Sequence, residues 1–285
     1  MNVVVRPITP TDIEVCGRIA YEAFRDIAEQ HNFPPDFPSL EVATQVLTFL
    51  TQHAYGVVAE WNGQVIGSNF LTEGDAIRAV GPISVDPASQ HCGVGRCLMR
   101  AVIARGREAA GIRLVQDAFN TTSMSLYASL GFEVKEPLVL VSGIPQVAPL
   151  PGVMVRRLRE GDVEECAALC RRVHGLERSD ELRGATAVLN PFVAIRDGRI
   201  NAYTTTLTMW QAAHGVAESE ANMQALIVGV AAATAQPVSF LLPTRQASLF
   251  RWCLGVGLRV IKPLTLMAMG IYHEPRGCYF PSVAY

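Results

Sequence analysis

The stretch "SVDPASQHCGVGRCLMRAVI", residues 84–103, decides how this chain reads. It begins as the end of a strand, turns through Pro87, places Gly93 and Gly95, and runs on as an apolar-periodic helix. Strand, glycine turn and helix in that order make an anion site. The first turn of a helix carries free N–H groups and the positive end of the dipole, and both favour phosphate. Glycine lets a ligand approach the backbone with no Cβ in the way. Arg96 adds a fixed positive charge beside it.

Two common phosphate binders are excluded. A nucleoside-triphosphate loop needs Gly-x-x-x-x-Gly-Lys-Ser/Thr, and no such string occurs. A dinucleotide fingerprint needs a third glycine or small residue near position 98, where Leu98 stands. What remains is Gln90-x-x-Gly93-x-Gly95. Alone, that string also fits an ordinary helix entrance.

Working outward, the chain proves to be written twice. "VVVRPITPTDIEVCGRIA" at 3–20 resembles "VMVRRLREGDVEECAALC" at 153–170, so that Arg6, Asp12 and Cys16 meet Arg156, Asp162 and Cys166. Asn62-Gly63 and Asp197-Gly198 each sit between alternating apolar runs, and each dipeptide marks a tight hairpin. The segment 113–138 lies over the segment ending at 264, so that Gly131 meets Gly257 and Pro137 meets Pro263. The Pro-rich "SGIPQVAPLPG" at 142–152 reads as the boundary, giving domains over 1–143 and 152–285.

Within the first repeat the pattern predicts a strand over 2–7 and a helix from Thr11 to about residue 30, where Thr11 and Glu14 suit a capping box. A helix over 39–52, a hairpin over 56–73 and a strand over 76–86 follow. The glycine stretch then leads to a helix over 93–110, a strand over 112–118, a helix over 121–130 and a strand over 132–141. This is an α/β (α+β layered) unit, a mixed and mostly antiparallel sheet with helices on both faces.

The bulk numbers set limits. A chain of 285 residues, 49% hydrophobic and 18% charged, can bury a core without disulfides or metal. A formal net charge of −2 leaves no basic footprint, so no nucleic-acid partner is expected. "MNVVVRPITPTD" does not read as a secretory signal. The longest apolar run, "ALIVGVAAA" at 225–233, falls short of the roughly 20 residues that span a bilayer. A cytoplasmic protein with no membrane contact is the expectation. The seven cysteines form no C-x-x-C pair, and no metal site is expected; Cys166 and Cys170, four apart, read as a small apolar helix face.

The surroundings sharpen the glycine loop. Upstream, "AVGPISVDP" carries Pro82, which cannot donate to a ladder, so one strand edge there should be open. Downstream stands "NTTSMSLYASLGFEV" at 120–134. Together these stretches resemble the GNAT N-acetyltransferase superfamily, by organisation over about 3–141 and specifically over 80–96 and 117–133. The resemblance implies that Gln90, His91, Cys92, Gly93, Val94, Gly95 and Arg96 hold the pyrophosphate of acetyl-CoA. It implies that Ile83, Ser84 and Val85 offer backbone groups to the pantetheine amides. Asn120, Ser123 and Tyr127 would flank the thiol end.

The resemblance gives Tyr127 the role of the acid that protonates the departing CoA thiolate. A phenol with a pKa near 10 keeps its proton at neutral pH and can give it to a thiolate as that forms. For the general base the residues offer Glu73 first, then Asp75, Glu22, His53 and His91, the last reading better as a phosphate neighbour. Cys92 and Cys97 flank the phosphate loop with no base beside them, so neither reads as a nucleophile.

The second repeat has lost these parts. "AAHGVAESEANMQALI" replaces the glycine loop, Cys253 stands at the Tyr127 position, and Gln246 at the Asn120 position. It reads as a degenerate GNAT-like domain that does not bind CoA in the usual way: a structural partner, or a lid or substrate wall. His214 and Glu218 lie four apart near a predicted helix start, where Glu218 or Ser219 suits a cap. In the aromatic tail "GCYFPSVAY", Tyr279, Phe280 and Tyr285 suit anchors, and the Tyr285 carboxylate is a further candidate base.

The expected function is acetyl-CoA-dependent transfer of an acetyl group to a primary amine by direct attack. Phe24, Phe33 and Phe37 suggest an apolar wall and hence a small-molecule amine. The alternatives are a protein amine as acceptor, or a non-catalytic acyl-CoA sensor or interaction module. A homodimer is compatible with the sequence.

Overall fold

The computed structural model describes residues 2–284. The chain divides into two compact units. The first contains β1 (Val4–Pro7), α1 (Ile13–Gln30), α2 (Leu40–His53), β2 (Tyr55–Trp61), β3 (Gln64–Thr72), β4 (Ile77–Val80), β5 (Ser84–Val85), α3 (Val94–Gly106), β6 (Gly111–Asp117) and α4 (Thr121–Ser129).

No Thr11 and Glu14 box caps α1; the chain enters the helix through a 3-10 turn over Pro10–Asp12, whose capping pair is Thr9 and Asp12. Asp12 accepts from the backbone N–H of Thr9 at 2.8 Å and from both terminal nitrogens of Arg6 at 2.8 and 2.9 Å. The Arg6 fork, reinforced by the Thr9 hydroxyl, holds the Asp12 carboxyl down at about 2. Helix α2 opens on Ser39, whose hydroxyl accepts from Val42 N–H. The β2–β3 hairpin turns at Asn62 and Gly63, both at positive φ. Successive residues of a strand face opposite ways. Val58 and Phe70 therefore pack with Cys16, Ala20, Ala43 and Leu47 of α1 and α2. On the other face Leu71 lies beneath Gly106, and Gly67 beneath Leu98, both on α3.

The predicted strand over 76–86 is two strands. β4 pairs with β3 (Leu71 with Val80) and in parallel with β6 (Ile77 with Gly111, Ala79 with Arg113). After the Gly81–Pro82 break, β5 pairs with β3 alone. β6 runs on past its pairing with β4, so the two strands part from Gly81 onward.

The second unit contains β7 (Glu133–Gly143), which enters it at Val134, then β8 (Met154–Arg157), α5 (Val163–His174), α6 (Ser179–Val188) and β9 (Phe192–Arg196). β10 (Arg199–Thr204), β11 (Gly215–Ala217), α7 (Glu220–Thr234), β12 (Val238–Pro243), α8 (Ala247–Gly255), β13 (Arg259–Gly270) and β14 (Cys278–Phe280) follow. Arg156 and Asp162 repeat the Arg6 and Asp12 fork at 2.6 and 2.9 Å. One sheet of this unit runs β14-β11-β10-β9-β8.

The boundary differs from the expected 143/152. β7 pairs with β12 from Val238 opposite Gly143 to Pro243 opposite Leu138, and Val139 and Val141 lie in the apolar cluster of the second unit. The first unit instead includes Ala268–Gly270, the end of β13, next to β6. Each repeat thus contributes a strand segment to the other unit. Side-chain patterning marks these strands as buried but does not say against which sheet.

No helix among the described residues is long and apolar enough to cross a membrane.

Candidate functional site

The glycine loop lies in the first unit, between the end of β5 and the start of α3. Gly93 is the residue before the helix, at φ +84, and it brings no capping side chain. The first intrahelical bond is Cys97 N–H to the Gly93 carbonyl at 3.1 Å. The N–H groups of Val94, Gly95 and Arg96 therefore have no partner within the helix. A Cβ on Gly93 would meet nothing within 4 Å, so the approach to these groups is open. His91, at φ +62, and Cys92 are exposed beside it.

The two glycines do different work. A Cβ on Gly95 would stand 3.3 Å from Leu126 Cδ2. Gly95 therefore serves the approach of α3 to α4, not only the approach of a phosphate. Arg96 adds to the same junction, donating to Ser129 Oγ at 2.8 Å. Gln90 folds back and donates to the Val85 carbonyl at 3.3 Å, bracing the loop from inside. Asp86 accepts from Ala88 N–H at 2.9 Å and fixes the turn through Pro87.

Opposite the loop stands the parted strand pair. Ile83 and Val85 are half-buried and Ser84 is buried against Ser68. Across the gap, Gln116 on β6 accepts from Ser123 Oγ at 2.9 Å. Its Nε2 is buried with no hydrogen-bond partner among the described residues. The unpaired strand edge suits an extended ligand with amide groups.

Asn120 caps α4, its side-chain oxygen accepting from Ser123 N–H at 3.0 Å. At the other end Gly131, at φ +97, turns the chain so that Phe132 N–H returns to the Tyr127 carbonyl at 3.1 Å. That turn fixes Tyr127, which is buried and edge-on to Phe132 at 6.4 Å. Burial, with the Asp117 charge adding to it, pushes the Tyr127 phenol above its usual range. It holds its proton through neutral pH.

The candidate bases fare differently. Glu73 accepts from Nε and a terminal nitrogen of Arg105 at 3.0 and 3.1 Å, in the last turn of α3. Gly93 stands at the other end of that helix. Both Glu73 oxygens are engaged, so the structure places it as the partner of Arg105 rather than as a carboxylate turned to a substrate. Glu22 pairs with Arg18 at 2.9 Å. Asp75 belongs to the second unit, where it accepts from the N–H groups of Asp180 and Glu181 at the start of α6. His53 stacks on Phe49 at the end of α2. Tyr285 lies outside the described residues.

The aromatic wall is also corrected. Phe37 is buried, with Phe24 edge-on at 5.2 Å, so both belong to the core. Phe33 alone remains near the site, stacked on Phe119 at 4.5 Å, next to Asn120.

In the second unit Ser219, not Glu218, caps α7. Glu218 pairs with Arg172 and Arg199. Cys170, His174 and His214 gather in its interior, a cluster their spacing in sequence does not announce. Both His214 ring nitrogens are engaged, Nδ1 by Arg178 at 2.6 Å and Nε2 by the Tyr203 hydroxyl at 3.1 Å. A cationic guanidinium on Nδ1 makes this a poor metal ligand set.

Residues 20–132 match the model of the acetyltransferase (GNAT) family. An acetyltransferase candidate from Pyrococcus horikoshii superposes with a TM-score of 0.76 at 16% identity, over 99% of this chain and 95% of that one. A GCN5-related N-acetyltransferase from Sphaerobacter thermophilus gives 0.62 at 15%, over 95% and 96%. A tandem GNAT protein of the clavulanic acid biosynthesis pathway gives 0.58 at 13%, over 94% and 98%. At such identities the likeness establishes the fold. No curated protein matches the sequence.

Proposed function

We propose, from the GNAT family match over residues 20–132 and the tandem GNAT-like fold of the whole chain, that the first unit is an acetyl-CoA-dependent N-acetyltransferase. The observation that carries the reading is the uncapped start of α3 at Gly93, set beside the unpaired strand edge over 81–85. The free amides of Val94, Gly95 and Arg96 suit a pyrophosphate. The backbone of Ile83–Val85 suits pantetheine amides. Acetyl-CoA supplies the acetyl group as a thioester, open to direct attack by an amine.

In this reading the amine nitrogen bonds the acetyl carbon as the carbon–sulfur bond breaks, Tyr127 Oη gives its proton to the leaving sulfur, and the proton shed by the nitrogen passes to water. Asn120 and Ser123 keep the start of α4, and so Tyr127, in place. Glu73 is not carried forward as the base, because Arg105 engages both its oxygens. The acceptor is a small amine entering past Phe33 and Phe119, whose stacked rings offer an apolar surface.

Calorimetric titration with acetyl-CoA, beside a Gly93→Glu variant, tests the reading. Micromolar binding that the variant loses supports it. No binding by the unaltered chain overturns it.

A further inference from the structure

The two hairpins carry the same irregularity, and it fixes a register between the repeats. In the first, Ala59 pairs with Gly67 and Glu60 with Val65, leaving Ile66 as the extra residue. In the second, Ala194 pairs with Ala202 and Ile195 with Ile200, leaving Asn201 as the extra one. Gly67 and Ala202 are therefore equivalent. Gly67 pairs onward with Val85, and Ala202 with Ala217; Ser68 pairs with Ser84, and Tyr203 with Val216. Strand β11 is thus the counterpart of residues 83–85, the edge assigned above to pantetheine.

In the first unit that edge has no strand beside it among the described residues. In the second it is covered, residue for residue, by β14: Gly215 pairs with Phe280, Val216 with Tyr279, and Ala217 with Cys278. The other side of Tyr279 is met by Gln246, the counterpart of Asn120. Its amide donates to the Tyr279 carbonyl at 2.6 Å and accepts from the Tyr279 N–H at 3.1 Å. Main-chain pairing with side chains seated in alternate pockets is how an added strand is recognised. Phe280 is fully buried, its ring tilted against that of Phe240 with centroids 4.7 Å apart, in space that exists because residue 215 is glycine. Tyr279 faces the other way, edge-on to His174 at 4.8 Å. Beyond the strand, Val283 N–H donates to the Gln211 carbonyl at 2.9 Å. Arg178 reaches Ser282 Oγ at 3.3 Å and the Ala284 carbonyl at 3.4 Å. The buried cluster around His214 thus supports the tail.

The phosphate end is closed as well. Residues 86–93 separate β5 from α3, whereas only Glu218 and Ser219 separate β11 from α7, and Ser219 caps that helix with its own side chain.

We propose that Cys278–Ala284 is a resident occupant of the second unit's ligand groove, added as a strand to β11 where an acyl-CoA would otherwise lie, so that each chain has one acyl-CoA site. The proposal rests on the function proposed above only for the identity of the excluded ligand.

The test uses the full chain, acetyl-CoA, and a labelled synthetic peptide of residues 275–285. The unaltered chain is expected to bind one acetyl-CoA, to exchange its amides at 278–280 at least a hundredfold slower than the free peptide, and to refuse the peptide. Phe280→Ala empties the pocket above Gly215. Its tail amides should exchange at least tenfold faster, and the chain should take up one peptide. Adding Gly215→Val, whose side chain fills the space of the Phe280 ring, should abolish that uptake. Unprotected amides at 278–280 in the unaltered chain, or two acetyl-CoA per chain, would overturn the proposal. So would a Phe280→Ala chain that shows the faster exchange yet takes up no peptide. If Phe280→Ala fails to fold, Gln246→Ala replaces it with the same expected outcomes. A protected tail with no acetyl-CoA bound would overturn the function proposed above and leave the occupancy of the β11 edge supported.

Discussion

Gly95 sits under Leu126 with little room for a side chain, since a Cβ there would stand 3.3 Å from Leu126 Cδ2, which would have to give by a few tenths of an ångström. Gly93, two residues earlier, has open space around it but a φ of +84. The two positions should therefore fail differently. Gly93→Ala forces an L side chain into the left-handed region, at about 1–2 kcal/mol, and narrows the approach to the free amides. It should weaken acetyl-CoA binding roughly tenfold, or about 1.4 kcal/mol. Gly95→Ala pushes on Leu126 and so on its neighbour Tyr127, and should lower kcat more than affinity. Titration and steady-state kinetics on both variants check this; identical profiles would refute the division of roles.

Tyr127→Phe removes the proposed proton donor and keeps the ring that packs on Phe132. We expect kcat to fall by roughly 10²–10⁴, the range of a positioned acid, with little change in Tm or acetyl-CoA affinity. Because burial raises this phenol, its proton is retained across the neutral range. The kcat profile should show no alkaline fall from Tyr127 below about pH 10, the free phenol value. A lower limb that Tyr127→Phe abolishes would contradict the assignment.

Glu73→Gln separates pairing from catalysis. Exposed ion pairs contribute about 0–1 kcal/mol, so a small drop in Tm is expected. Turnover should stay within about threefold, where loss of a general base costs roughly a hundredfold or more. A loss of that larger size would return the base role to Glu73.

The Arg6 and Asp12 fork sets an acid limit on the first unit. The Asp12 carboxyl titrates at about 2 when folded, against 3.8 for the ordinary group. A depressed carboxyl contributes stability that is present above its unfolded value and lost as pH falls through the folded one. The loss therefore spans roughly pH 4 to 2. Arg6 is partly exposed, with 35% of its side chain accessible, so solvent screening leaves about 1 kcal/mol. Asp12→Asn should lower stability by about that much at pH 7 and flatten the decline below pH 4. Urea titrations at pH 7, 4 and 2.5 measure both.

Sequence reached the parts that depend on local chemistry. Asn62-Gly63 and Asp197-Gly198 mark their hairpins because only certain residues accept positive φ twice in a row. Gly93 reads as a helix entrance for the same reason. The matching of Arg6 and Asp12 with Arg156 and Asp162 survives in the structure as the same fork, twice. What depends on distant partners was not legible. Glu73 looks like any loop carboxylate until Arg105 is seen to close on it. Gly95 looks like a second phosphate glycine until Leu126 is seen above it. Phe24, Phe33 and Phe37 carry one residue type, yet Phe24 and Phe37 join the core cluster while Phe33 stacks on Phe119, which composition cannot distinguish. The tail advertises its burial through Tyr279 and Phe280, but its pairing with β11 lies in the register of a hairpin far upstream.

The assignment of β7 and β13 bears on how this gene could have changed. Splitting the gene or cutting the chain within 144–152 would not give two self-contained domains. The N-terminal fragment would lack Ala268–Gly270, and the C-terminal fragment would lack Val134–Gly143, whose Val139 and Val141 help fill its interior. Each fragment would be a domain with a missing piece encoded in the other. Selection against such breakage can preserve a repeat that has lost its chemistry, so the survival of the second half needs no second reaction to explain it.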